Sequence, residues 1–179
     1  STRAGEPAQT IEQLPLEWFV SDGVVLDFDG REDGDAIGAA DVEAALSTAG
    51  HEIKPLDVVL VRTGCDRWID TAEYMAHGPG VTAEATHWLY DRGVRVMGID
   101  AWGWDRPLWM QAQEAIESGE QGIFWEAHQA DLAYSQIERL VNLGSLPPTG
   151  FTVSCLPLPL VGGSAAPARV VAMLDEERD

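Results

Sequence analysis

The sequence predicts an α/β fold, and three observations carry that expectation. Short β-branched runs such as GVVLDF (23–28) and DVVLVRT (57–63) alternate with segments of helical period such as DVEAALSTAG (41–50) and TAEATHWLYDRG (82–93), the order expected when helices pack on a sheet. Glycine and proline punctuate the boundaries between these runs. The length, 179 residues, suits one domain with a real core and would cramp two. A single domain over residues 1–179 is therefore expected.

Each element follows from local chemistry. GVVLDF is short, apolar and preceded by a turn, which predicts a strand. In DVEAALSTAG the apolar residues recur at helical spacing, and Gly50 stands where a left-handed helix end belongs. DVVLVRT reads as a second buried strand. In TAEATHWLYDRG, Thr82 is suited to cap the first turn and Gly93 to stop the helix. VRVMGID (94–100) predicts a third strand, and RPLWMQAQEAIESG (106–119) a third helix with Pro107 in its first turn. FTVSCLPLPLV (151–161) and ARVVAML (168–174) are expected to close the chain as strands. Pro157 and Pro159 place the first of these at a sheet edge or bulge, because proline gives the ladder no N–H.

Composition excludes several functions. Apolar residues make up 45% of the chain and there are 7 tryptophans, which marks a globular protein. The formal net charge is -19, so phosphate backbones are repelled and nucleic acid is not an expected partner. No apolar run approaches a bilayer span, and STRAGEPAQT (1–10) lacks a signal-peptide core, so a soluble chain without a membrane partner is expected. The first residue is Ser1 and not Met, which suggests a processed product. Cys65 and Cys155 form no CxxC pair; they are expected to be buried free thiols, and their scarcity suggests the cytoplasm.

Four histidines are available for chemistry. His51 follows a helix stop and is expected to be exposed, and His87 lies within a helix. His77 precedes GPG (78–80), where Gly80 allows close backbone approach to a ligand; a structural role is the simpler reading of His77 itself. His128 lies in FWEAHQADLAYSQIERL (124–140) with Glu138. Both can hold a metal or move a proton, yet two groups do not complete a metal shell. From the residues alone they are either satisfied structural side chains or part of a site. GIDAWGWDRP (98–107) leads from a strand end, where α/β proteins place ligand contacts. Its Trp102 and Trp104 either wall a flat substrate or fill the core, with Asp100 and Asp105 capping turns. The VGGSAAPAR stretch (161–169) reads as a tight connection. Ser1 is a further candidate, since a terminal amine can activate its own hydroxyl.

Several stretches occur together in an order that resembles the cyclase family of metal-dependent hydrolases, which includes bacterial kynurenine formamidase and isatin hydrolase. They are IEQLPLEWFVSDGVVLDF (11–28), IKPLDVVLVRTG (53–64), GPGVTAEATHWLYDRGVRVMGIDAWGWDRP (78–107), EAHQADLAYSQIERLVNLGSLPPTGFTV (126–153) and GGSAAPARVVAML (162–174). The resemblance covers nearly the whole chain. The family's metal motif, HxGTHxDxPxH, precedes the stretch like 11–28 and is absent here.

The resemblance implies a twisted, partly barrel-like mixed sheet flanked by helices, completed by a second chain. It implies a divalent ion, zinc or manganese, whose main ligands come from a smaller N-terminal chain bearing that motif. His128 and Glu138 match the family's later His and Glu, as metal ligands or acid/base groups, although they stand closer together in sequence than in relatives. Trp102, Trp104 and Gly80 would shape the substrate pocket. The implied reaction is attack of metal-activated water on an amide, lactam or related acyl group of a small molecule. A dimer or tetramer of the assembled unit is expected. The competing readings are a binding or scaffold subunit that kept the fold without the metal, and a hydrolase using Ser1.

Overall fold

The structure, a computed structural model, describes residues 2–3 and 6–175; Ser1, the candidate N-terminal nucleophile, lies outside them. Four parallel strands run side by side: β1 (Val20–Asp27), β2 (Val58–Arg62), β3 (Val96–Ile99) and β4 (Ser135–Ile137). Beyond β1, the strands β5 (Phe151–Ser154) and β6 (Val171–Leu174) continue the sheet antiparallel. The spatial order is β6-β5-β1-β2-β3-β4, an open mixed sheet among the described residues. Helices α1 (Ala39–Ala49), α2 (Ala83–Asp91) and α3 (Leu108–Ser118) flank it.

The parallel strands read as unbroken apolar runs because both of their faces are covered. Side chains alternate with the pleat. Val24 and Leu26, Val59 and Val61, and Met97 and Ile99 face one core, with Val42 and Leu46 of α1 and Ala85 and Leu89 of α2. Val25, Val58, Leu60 and Val96 face a second core with Phe19, Leu140, Phe151 and Val153. Burial of each large apolar side chain contributes about 1.5–3 kcal/mol, so these two layers are the main force holding the sheet.

Helix ends follow the expected chemistry. Gly50 and Gly119 take left-handed conformations (φ 65° and 68°) at the ends of α1 and α3. The Thr82 hydroxyl accepts the Ala85 N–H at 3.1 Å. The strand expected over 151–161 stops at Ser154; beyond it the prolines cannot continue a ladder, and only an isolated bridge joins Pro157 to Ala168. His51 is also not the exposed residue expected: its Nε2 lies 2.7 Å from Oδ2 of the buried Asp57. Cys65 and Cys155 are buried and free, as expected. Burial pushes the Cys155 thiol up to about 11 and raises that of Cys65 as well.

The loop after β3 is fixed at its root by Asp100. Its buried carboxylate accepts the Thr63 N–H at 2.7 Å, the Thr63 hydroxyl at 2.6 Å and the Gly64 N–H at 2.9 Å. Its carbonyl accepts the Tyr74 hydroxyl at 2.7 Å. Burial drives the Asp100 carboxyl above its ordinary pKa, against the pull of those hydrogen bonds. Gly80 supports the same loop from below. It lies in a short parallel pairing, Ala36–Ile37 with Gly80–Val81, and a Cβ there would meet Arg106 N at 2.0 Å and the Asp105 carbonyl carbon at 2.4 Å. Gly80→Ala is therefore expected to lower stability by about 1–3 kcal/mol, because backbone must shift; chemical denaturation of the variant measures it.

Candidate active site

The carboxyl ends of β3 and β4 open into a cleft of about 180 Å³. Such ends are where α/β sheets place their ligand contacts. After β3 the chain supplies Ala101, Trp102, Gly103, Asp105 and Arg106, and after β4 it supplies Glu138 and Arg139. His128 enters from a stretch of turns between α3 and β4.

Asp105 sets the position of His128. The Asp105 side chain is only 3% exposed. Its Oδ1 accepts the Ala127 N–H at 2.8 Å, and its Oδ2 lies 3.3 Å from the His128 N and 2.5 Å from His128 Nδ1. A carboxylate on Nδ1 fixes the tautomer of a neutral ring and leaves the Nε2 lone pair for the cleft. Nε2 stands 3.6 Å from Glu138 Oε1. That same oxygen accepts the Trp104 N–H at 3.3 Å. Trp125 stacks on the imidazole, with ring centroids 5.3 Å apart and planes at 25°.

Electrostatics bind the ring further. Burial of His128 disfavours its charged form, but the hydrogen bond and charge of Asp105, with the charge of Glu138, outweigh it and hold the pKa above the ordinary histidine value. Two more buried contacts fasten the loop. Gln111 of α3 accepts the Trp125 N–H at 2.7 Å and donates to the Arg106 carbonyl. The Tyr134 hydroxyl donates to the Ala127 carbonyl at 2.9 Å.

The residues singled out in the sequence divide. His128 and Glu138 meet across the cleft despite their short spacing in sequence. Trp102 lines the cleft. Trp104 does not: it is fully buried, and its indole N–H donates to Thr86 Oγ1 at 3.0 Å. Gly80 lies under the backbone of Asp105 and Arg106, not on the cleft wall.

Sequence reasoning did not single out Asp105 or Arg139 for this cleft, and it weighed His77 but took a structural role as the simpler reading. Asp105 was read as a turn cap, and only its meeting with the distant residues 127–128 shows otherwise. His77 lines the same cleft; its Nδ1 is 2.7 Å from Asp33 Oδ2, and its ring stacks on Trp68. Burial raises the Asp33 carboxyl, but the Gly78 N–H and His77 outweigh it and hold it below the ordinary range. The GPG that follows His77 was the available signal.

A histidine seated on a buried carboxylate, with a glutamate oxygen beside its free nitrogen, has the chemistry of two positions in a divalent-metal donor set. Among the described residues no group of three or more His, Cys, Asp or Glu is arranged to hold an ion. The pair by itself does not make a complete ligand set.

The Cyclase family model matches residues 2–106. The chain belongs to this family. It is similar to isatin hydrolase A from Ralstonia solanacearum, with 26% identity, a TM-score of 0.77 and coverage of 94% of this chain and 65% of that one. Isatin hydrolase A from Labrenzia aggregata shares the fold at 24% identity and a TM-score of 0.76, covering 95% of this chain and 67% of that one. A potential metal-dependent hydrolase with cyclase activity aligns at 26% identity and a TM-score of 0.66, over 97% of this chain and 73% of its own. The chain spans about two thirds of the length of the isatin hydrolases it matches. No curated protein matches it significantly.

Removing the Asp105 carboxylate strands buried donors, each costing about 1–3 kcal/mol. Asp105→Ala is accordingly expected to destabilise the protein and to free the 125–128 segment, which hydrogen exchange at the Ala127 and His128 amides reads directly.

Proposed function

We propose that this chain is the larger part of a metal-dependent hydrolase cleaving an amide, lactam or related acyl bond of a small molecule. The observation that carries the reading is the arrangement of Asp105, His128 and Glu138 at the sheet's carboxyl edge. It offers one imidazole nitrogen and one carboxylate oxygen to the cleft on a rigid, buried support. Membership of the Cyclase family and the likeness to proteins named isatin hydrolase favour the same chemistry.

The remaining metal ligands belong to a smaller, N-terminal chain bearing HxGTHxDxPxH. A surface is open for such a partner: Leu156, Leu158, Leu160, Val161, Met173 and Leu174 are exposed around β5 and β6. Apolar patches of this kind mark interfaces. The ion is zinc or manganese, and the assembled unit forms dimers or tetramers.

A bound divalent ion supplies Lewis acidity, making water a nucleophile near neutral pH and drawing electron density from an acyl oxygen. The side chains of this chain do the rest. His128, its Nδ1–H committed to Asp105, would hold the ion, or would take a proton through Nε2 and pass it to the leaving nitrogen or oxygen. Glu138 orients that exchange, itself held by the Trp104 N–H. Water's oxygen ends in the new carboxylic acid as the carbon–nitrogen or carbon–oxygen bond breaks. Trp102 and Trp125 exclude solvent from the cleft.

Native purified protein should give a second, smaller chain in a denaturing intact-mass spectrum, bound metal by elemental analysis, and chelator-sensitive hydrolysis of an aryl formamide or a fused lactam. Asp105→Asn should lower kcat about 10- to 100-fold with metal retained in part. A lone 19.4 kDa species without metal or turnover would replace this reading with that of a binding or scaffold subunit. Turnover lost on changing Ser1 and indifferent to chelator would replace it with the serine reading.

A further inference from the structure

Among the described residues five non-glycine residues take left-handed backbone, Leu56, Trp125, Asp131, Arg139 and Asn142; of these Arg139 is the cation, and it lines the cleft. Its backbone is in the left-handed region at φ 63°, a conformation that suits glycine and asparagine and is costly for a long side chain. Asn142, three residues later at φ 65°, is of the tolerant type. The Arg139 N–H donates to the Ala101 carbonyl at 3.1 Å, so the backbone is held in place.

In a chain with 30 acidic and 11 basic residues, Arg31, Arg62, Arg67 and Arg106 each pair with a carboxylate. Among the described residues Arg139 has neither an ion pair nor a side-chain hydrogen bond; its guanidinium carbon lies over Trp102, 3.7 Å from the ring centroid. Arg92 and Arg95 also lie over aromatic rings, Trp88 and Tyr90, but both donate to backbone carbonyls as well. Trp102 is itself braced edge-on by Tyr74. Both Arg139 and Trp102 line the cleft that holds His128 and Glu138. A stacked guanidinium keeps its N–H edge free and fixed in direction, the geometry for two-point capture of a planar anion.

We infer that Arg139, stacked on Trp102, is the carboxylate receptor of this cleft, and that its ligand is a planar aromatic compound bearing a carboxylate. One uncommitted guanidinium matches the single charge of a carboxylate; a phosphate dianion would face Glu138 and the acidic surroundings with half its charge unanswered. Met75, Pro79, Pro107 and Leu108 supply the apolar wall for an aromatic body. The carboxylate is either carried by the substrate or released by hydrolysis. Only this second source rests on the function proposed above; the anion contact does not.

The test uses the assembled protein with benzoate and its neutral counterpart benzamide, titrated by calorimetry. Wild type should bind benzoate about tenfold more tightly than benzamide. Arg139→Gln should abolish that preference and leave benzamide unchanged, while Arg139→Lys keeps a part of it. Arg139→Gly should lose the preference and melt at a higher temperature, because glycine relieves the left-handed backbone. Equal binding of the two probes by wild type, or benzoate affinity surviving in both Arg139→Gln and Arg139→Gly, overturns the proposal.

Kinetics then separate the sources. A rise in KM confined to carboxylate-bearing substrates on Arg139→Gln assigns the substrate's own group, whereas relief of product inhibition with KM unchanged assigns the released acid. Arg139-dependent benzoate binding without any hydrolysis would retire the hydrolase reading and leave the receptor in place.

Discussion

The buried Asp105 carboxylate is the interaction on which the cleft depends. Residues 124–134 form no helix or strand, so no backbone ladder dictates where His128 goes. Its place is set instead by side chains reaching in from elsewhere: Asp105 holding two backbone amides and the ring, Gln111 holding residue 125, and Tyr134 holding residue 127. Asp105 is fixed in turn. Trp104 anchors the preceding residue in the core through Thr86, and the Gly80 backbone packs so closely beneath residues 105 and 106 that no side chain fits between. A carboxylate so deeply buried is stable only when its acceptors are filled, and filling them is what orients the imidazole.

The sheet explains why this happens at one edge. Parallel strands need both faces covered, and the two cores take Val24 to Leu26 of β1 and most side chains of β2 and β3. Polar chemistry is therefore displaced to the points where the chain leaves the sheet. The carboxyl ends of β3 and β4 are adjacent, so Asp105 and Glu138 converge from segments more than thirty residues apart. Asp100 holds the root of one of these segments through three hydrogen bonds to the end of β2. This edge is held to its neighbours at several points by hydrogen bonds between side chains and backbone.

The opposite side of the molecule has a different character. β5 and β6 are antiparallel and only half covered, and the proline-rich run after Ser154 exposes leucines and Val161. The cleft and the exposed apolar side chains thus lie at opposite edges of the sheet.

Much of the fold was legible in the sequence, because it rests on local signals. The period of the apolar residues, Thr82 as a cap and Gly50 and Gly119 as stops are short-range chemistry, and they place β1–β3 and α1–α3 within a few residues. The last strands were less legible, since Pro157 and Pro159 end a pairing that hydrophobicity alone would continue. His128 and Glu138 stood out by type and by family resemblance. Their orientation did not, because a side chain's partners in an irregular loop are long-range: Asp105 is 23 residues from His128 and looks like any turn aspartate. Trp104 and Trp102 are two residues apart and chemically identical, yet one fills the core and the other lines the cleft. Sequence determined the elements and the chemical inventory, since hydrogen bonding and periodicity act locally. Tertiary structure alone decided which polar groups face each other, because that depends on where strand ends meet in space.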